Sequence, residues 1–227
     1  MTKKLIVFDI DGTLLKSIGT HHLAMTRAMA ASELTHRDAE WANYANHTDS
    51  GVYYEAYEKS FGRSPTDAEC LEFEALFQRG YDEISLTALD SPMPGAPELL
   101  LRLEASGDYL VAFATGSYRG PAQHKLRCLG IASDACVLAT ASEFRTRQEI
   151  VADAVRRRLQ GFEDKHRPRM ISVGDGPWDA RTAADLGMHF VGVASDEKAH
   201  TLTALGARAV VPDFADVPRF MSALAID

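Results

Sequence analysis

The sequence predicts an α/β chain in which a doubly wound parallel sheet is interrupted near its start by an all-helical insertion. Three observations carry that expectation. Short apolar runs rich in β-branched residues recur at Leu5 to Phe8, Leu110 to Phe113, Met170 to Val173, Phe190 to Val193 and Ala209 to Val211, with the length of buried strands. Stretches of helical spacing lie between them, and such alternation builds a parallel sheet with both faces covered. From about Leu15 to Ser91 the rhythm stops and no strand pattern is visible.

Taken along the chain, Leu5 to Phe8 opens the sheet. The insertion follows, with helical spacing at Ala24 to Leu34, Val52 to Phe61 and Ala68 to Tyr81. Ser91-Pro92-Met93-Pro94-Gly95 closes it, because two prolines and a glycine stop any helix and suit a hinge or linker. The expected division is a core domain of residues 1–15 and 92–227 and a helical domain of residues 16–91. Helices at Ala96 to Ala105, Gln123 to Leu129, Glu149 to Leu159 and Ala180 to Leu186 then alternate with the remaining strands. No internal repeat is present.

Composition narrows the function. With 227 residues, 46% hydrophobic and 25% charged, the chain supports one sizeable core with a smaller inserted domain. A formal net charge of -8 without a dense Lys/Arg run leaves no electrostatic footprint for nucleic acid or an anionic membrane. Met-Thr-Lys-Lys leads into an apolar run that meets Asp9 at once, too short for a signal-peptide core or a membrane span, so cytoplasmic residence is expected. Cys70, Cys128 and Cys136 fit neither a disulfide framework nor a zinc site and read as reduced thiols.

Three segments bring chemistry to strand ends, where parallel sheets bind ligands. Leu5-Ile6-Val7-Phe8-Asp9-Ile10-Asp11-Gly12-Thr13 delivers two aspartates, and the period of two places Asp9 and Asp11 on one side. Two close carboxylates repel, so either one holds a proton, as a general acid would, or a hard cation such as Mg²⁺ neutralises them. A solvated Asp-Gly turn is the plainer alternative. In Leu110 to Ser117, Thr115 and the backbone N–H groups of Gly116 and Ser117 can hold phosphoryl oxygens at a helix N-terminus, or merely cap that helix. Met170 to Asp179 brings Asp175 and Asp179 to a third strand end.

Together these segments resemble the motifs of the haloacid dehalogenase superfamily, in order, across most of the chain outside the insertion. The branch resembled is that of phosphoglycolate phosphatase and β-phosphoglucomutase. The resemblance implies a Rossmann-like core with a small helical cap, and a Mg²⁺-dependent phosphatase acting on a small phosphorylated metabolite. It makes Asp9 the nucleophile and Asp11 the acid and base. The metal falls to Asp9, the backbone carbonyl of Asp11 and Asp175, with Asp179 behind a metal-bound water. The family's usual lysine is missing between Glu143 and Val151. Lys125, on the helix after Thr115, is the first choice for the site cation, and Arg147 is the reserve. In the cap, Asn46-His47-Thr48-Asp49 resembles a loop facing the site, so Thr48, Asp49 and His21 are candidate substrate contacts. A phosphomutase, or a phosphorylation-dependent regulatory module, stays open, as do the leaving group (phosphoglycolate, a sugar phosphate or a nucleotide) and the oligomeric state.

Overall fold

A computed structural model describes residues 3–38, 41–88, 90–163 and 168–225. Strand β1 (Lys4–Phe8) is followed by a two-residue strand β2 (Leu15–Lys16) and three helices, α1 (Ile18–Ala31), α2 (Asp49–Phe61) and α3 (Asp67–Ser85). The chain returns through β3 (Ser91–Pro92), α4 (Ala96–Ser106), β4 (Tyr109–Ala114), α5 (Arg119–Cys128), β5 (Leu138–Ala139) and α6 (Arg147–Arg158). It ends with β6 (Arg169–Gly174), α7 (Pro177–Asp185), β7 (His189–Val193), α8 (Asp196–Ala204), β8 (Ala209–Val211) and α9 (Val217–Leu224).

Six strands form one parallel sheet in the order β5-β4-β1-β6-β7-β8. β1 lies inside it, which is why four of its five residues are buried and those four, Leu5 to Phe8, are apolar. Its alternate side chains serve opposite layers. Ile6 and Phe8 pack with Leu99 and Leu103 of α4, Leu126 of α5 and Phe220 of α9. Leu5 and Val7 belong to the other layer, with Ile150 and Ala154 of α6 and Ala183 of α7. The expected doubly wound α/β fold is the fold observed. The order reverses at β1, so the crevice above the carboxyl ends of β4, β1 and β6 is where this topology binds ligands.

Helix limits follow the capping residues more closely than the apolar pattern. Thr48 accepts from the Gly51 N–H and starts α2, while Thr66 with Glu69 and Thr146 with Glu149 form capping boxes for α3 and α6. Each helix therefore begins earlier than its apolar spacing indicates. α1 also starts early, at Ile18, and ends at Ala31, short of the expected Leu34. Three short strands, β2, β3 and β5, were illegible. β5 has two residues, and β2 pairs antiparallel with β3, so the expected Ser91-Pro92 linker is half of a ribbon where the helical segment leaves and rejoins the core. Pro92 is tolerated because that ribbon has only two residues per strand. No helix among the described residues is long and apolar enough to cross a membrane, and the three cysteines are free thiols.

Candidate active site

The carboxyl ends of the three central strands bring the sequence motifs together as two adjoining clusters of polar side chains, each a small pocket of charge. The first is acidic. Asp9 extends the β1 ladder, its N–H donating to the Val173 carbonyl at 2.9 Å, and so points from the strand end toward the loop after β6. There Asp9, Asp175 and Asp179 each offer a carboxylate oxygen within 4.8 Å of the others, and all three are buried. Glycines make the approach possible. A Cβ on Gly12, whose φ is +78°, would lie 2.5 Å from Asp175 Oδ2, and one on Gly174 would lie 2.5 Å from Asp179 Oδ2. Thr13 donates to Asp9 Oδ2 at 3.0 Å, with Asp175 Oδ1 at 3.4 Å.

Among the described residues, two cations face these three anions. Arg147, at the start of α6, bridges Asp9 Oδ1 at 2.8 Å and Asp179 Oδ1 at 2.9 Å, and its Nε donates to the His47 carbonyl at 3.0 Å. Lys198 of α8 pairs with Asp175 Oδ2. The balance is still negative, and burial pushes the Asp9 carboxyl up to about 8, with Arg147 opposing and Asp179, Asp175 and Asp11 adding to the rise. Burial likewise moves Asp179 up to about 6, again against Arg147. Three dry carboxylates short of one positive charge are a donor set suited to a hard divalent cation.

Asp11 stands apart. Its carboxylate is outside the acidic cluster, in a second pocket where Lys125 Nζ lies 2.6 Å from Oδ1 and Ser117 Oγ donates to Oδ2 at 2.9 Å. Ser17 Oγ also donates to Oδ1, at 2.6 Å. The expectation of two aspartates crowding one another is therefore corrected, because each has its own cation and only the Asp11 backbone carbonyl is left as a potential metal ligand. Burial by itself would raise the Asp11 carboxyl, but Lys125, His21 and Ser17 outweigh it and hold the carboxyl well below the usual range. The pairing with Lys125 thus favours the ionised form of Asp11.

Lys125 is fully buried and spends its three protons on Asp11, on Ser117 Oγ at 2.7 Å and on His21 Nδ1 at 3.0 Å. Lysine has only donors, so His21 Nδ1 accepts and its Nε2–H donates to Asp49 Oδ1 at 2.7 Å. Lys125 and Arg147 are thus not alternatives, since each serves one pocket.

The helical segment closes over both pockets through the N-terminus of α2. Asp49 is fully buried, receiving the Tyr118 N–H at 2.8 Å while its own N–H donates to the Gly116 carbonyl at 2.8 Å. Thr48 donates to the Arg145 carbonyl at 2.6 Å. The expected substrate contacts His21, Thr48 and Asp49 do reach the site, with their side chains hydrogen-bonded to one another or to the core: His21 to Asp49 and Lys125, Thr48 to the Arg145 carbonyl, and Asp49 to the Tyr118 N–H. Thr115 Oγ1 accepts from the Ser117 N–H at 3.1 Å, so that amide, expected to meet phosphoryl oxygens, is engaged by its own loop.

Sequence reasoning missed Thr13, Ser17 and Lys198. Thr13 and Ser17 follow the aspartates closely and could have been suspected as hydroxyl donors, whereas a lone lysine on an exposed helix carries no signal. Trp178, between Asp175 and Asp179, was also missed, and it stacks on His47 with centroids 4.6 Å apart.

A family model described as haloacid dehalogenase-like hydrolase matches residues 3–187. The chain is 31% identical over 194 residues to a phosphoglycolate phosphatase of Mesorhizobium japonicum, covering 85% of this chain and 83% of the relative. It is 27% identical over 218 residues to the phosphoglycolate phosphatase of Rhodospirillum rubrum, covering 94% and 89%. Among solved structures, a hydrolase from Pseudomonas syringae superposes with a TM-score of 0.74 at 20% identity, covering 97% of this chain and 98% of that one. A β-phosphoglucomutase-like protein from Bacteroides vulgatus gives 0.71 at 19% identity, covering 98% and 89%. At such identities the structures speak for the fold alone.

Proposed function

This chain belongs to the haloacid dehalogenase-like hydrolases and is a phosphatase of that family, and from that premise we propose that it hydrolyses a small phosphorylated metabolite, with Mg²⁺, through a phosphoryl group carried on Asp9. The observation that carries the reading is the separation of two aspartates two residues apart. Asp9 sits among metal-suited carboxylates beside Arg147, and Asp11 sits in its own pocket with Lys125. A nucleophile and a proton-transfer group need that division of surroundings.

Asp9, Asp175 and Asp179, with the Asp11 carbonyl, would hold Mg²⁺, which when bound supplies positive charge that keeps Asp9 anionic and offsets charge on the phosphoryl oxygens. Asp9 forms a bond to phosphorus as the ester P–O bond breaks, and the leaving oxygen takes a proton from Asp11. Asp11 must first gain that proton, from solvent water or from a singly protonated phosphate ester. A phosphoryl oxygen that draws Lys125 away from Oδ1 removes the charge that holds the carboxyl low, so substrate itself would arm the acid. Arg147 and Lys125 bind the equatorial oxygens from two sides. Asp11, an anion again, then takes a proton from the water that attacks phosphorus and frees Asp9.

Residues 16–91 form the cap in this reading, shielding the pocket from water and contacting the leaving group. Phosphoglycolate, which two relatives are named for hydrolysing, heads the substrate panel. The test is phosphate release from phosphoglycolate, sugar phosphates and nucleotides, with and without Mg²⁺, by wild type and Asp9→Asn. Release that requires both the ion and Asp9 is expected. Equal release by Asp9→Asn would end the proposal.

A further inference from the structure

Of the two cations at the acidic cluster, one is fixed and the other can leave. Arg147 is held by Asp9, Asp179 and the His47 carbonyl, packs near the face of Trp178 with its guanidinium 5.9 Å from the ring, and has a side chain only 13% exposed. Lys198 differs on each count. It comes from α8, outside every motif segment, its one carboxylate partner in the cluster is Asp175, and its side chain is 44% exposed while that of Asp175 is 4% exposed. Lys198 can swing into water with its charge solvated, whereas moving Arg147 would strand two buried carboxylates.

We propose that Lys198 is a built-in counter-cation: it neutralises Asp175 while the acidic cluster holds no metal and is exchanged for the divalent ion when one enters. The inference rests on the Mg²⁺ part of the proposed function and adds a residue that sets how tightly that ion is held. Two positive groups crowding one carboxylate oppose each other, so the lysine lowers affinity for the ion. In return it steadies the metal-free fold by pairing a carboxylate that would otherwise be buried and alone. The lysine thereby raises the ion concentration at which the site fills.

The test is calorimetric titration of the full chain with MgCl₂, for wild type, Lys198→Met, Lys198→Arg and Asp175→Asn, with thermal melts of each protein in EDTA and in saturating Mg²⁺. Lys198→Met is expected to bind Mg²⁺ about fivefold more tightly, the upper end of what a half-exposed ion pair supports. Its melting temperature should fall in EDTA and match wild type in saturating Mg²⁺, and Lys198→Arg should restore wild-type affinity. Unchanged or weaker binding by Lys198→Met would overturn the proposal, because Lys198 would then be steadying Asp175 for the ion and not competing with it. Wild type that binds no Mg²⁺, or binds it as well after Asp175→Asn, would overturn the metal reading beneath it.

Discussion

Replacing Lys125 with methionine separates the charge of this side chain from its volume. The ammonium is fully buried and serves three acceptors, Asp11, Ser117 and His21, and the Asp11 side chain it neutralises is 17% exposed. Methionine fills most of the space but leaves a largely buried carboxylate without its cation, a loss of about 3–5 kcal/mol at neutral pH. The pH dependence has a definite sign. In wild type the folded Asp11 is held below its ordinary value of 3.8, so its contribution is present above that value and is lost on acidification below it. In the variant, burial is opposed by no lysine, only by weaker groups such as the Ser17 hydroxyl, and the carboxyl rises. Its ionised form then penalises the fold at neutral pH, and the penalty disappears as pH falls to about 4 or below. Urea melts at pH 7 and at pH 4 should therefore show a gap between the proteins that narrows in acid. A gap under about 1 kcal/mol, or one independent of pH, would refute the assignment of Lys125 as the counter-charge of Asp11.

Other substitutions test neighbouring parts of the site. Arg147→Lys keeps the charge but not a planar fork that spans Asp9, Asp179 and the His47 carbonyl, and steady-state turnover should fall by roughly 10²-fold; an unchanged rate would remove Arg147 from the phosphoryl site. Gly12→Ala combines a left-handed backbone at φ +78° with a methyl 2.5 Å from Asp175 Oδ2, so thermal melts should show about 1–3 kcal/mol of destabilisation and Mg²⁺ titration a weakened site. Asp49→Ala strips a fully buried carboxylate from His21 and from the Tyr118 N–H, which should cost about 2–4 kcal/mol and expose residues 16–91 to limited proteolysis; unaltered cleavage would show that this contact does not dock the cap.

The parts legible in the sequence are those whose chemistry is fixed by local spacing. Asp9, Asp175 and Asp179 each follow a strand-like apolar run, and parallel pairing of those runs leaves little freedom in where the carboxylates arrive. What distance in sequence concealed was the partition of the site. Asp9 and Asp11 read as a close pair, but Asp11 leaves the ladder and turns to a lysine on α5, so its partner depends on how β4 and α5 lie beside β1. For the same reason Lys125 and Arg147 looked like competitors for one role. Thr48 and Asp49 looked like residues of a loop facing the site and available to substrate, and only the docking of α2 onto the loops after β4 and β5 shows their hydrogen bonds already satisfied. Lys198 carries no local pattern, since its importance comes wholly from the position of α8 beside Asp175.

The central claim is that phosphorus passes through a covalent bond to Asp9, and rapid acid quench after mixing with ³²P-labelled substrate and Mg²⁺ tests it most directly. Label should be trapped on the peptide that contains Asp9 in wild type, vanish on further incubation as inorganic phosphate appears, and never form in Asp9→Asn. Turnover without trapped label, or label on a different residue, would contradict the account.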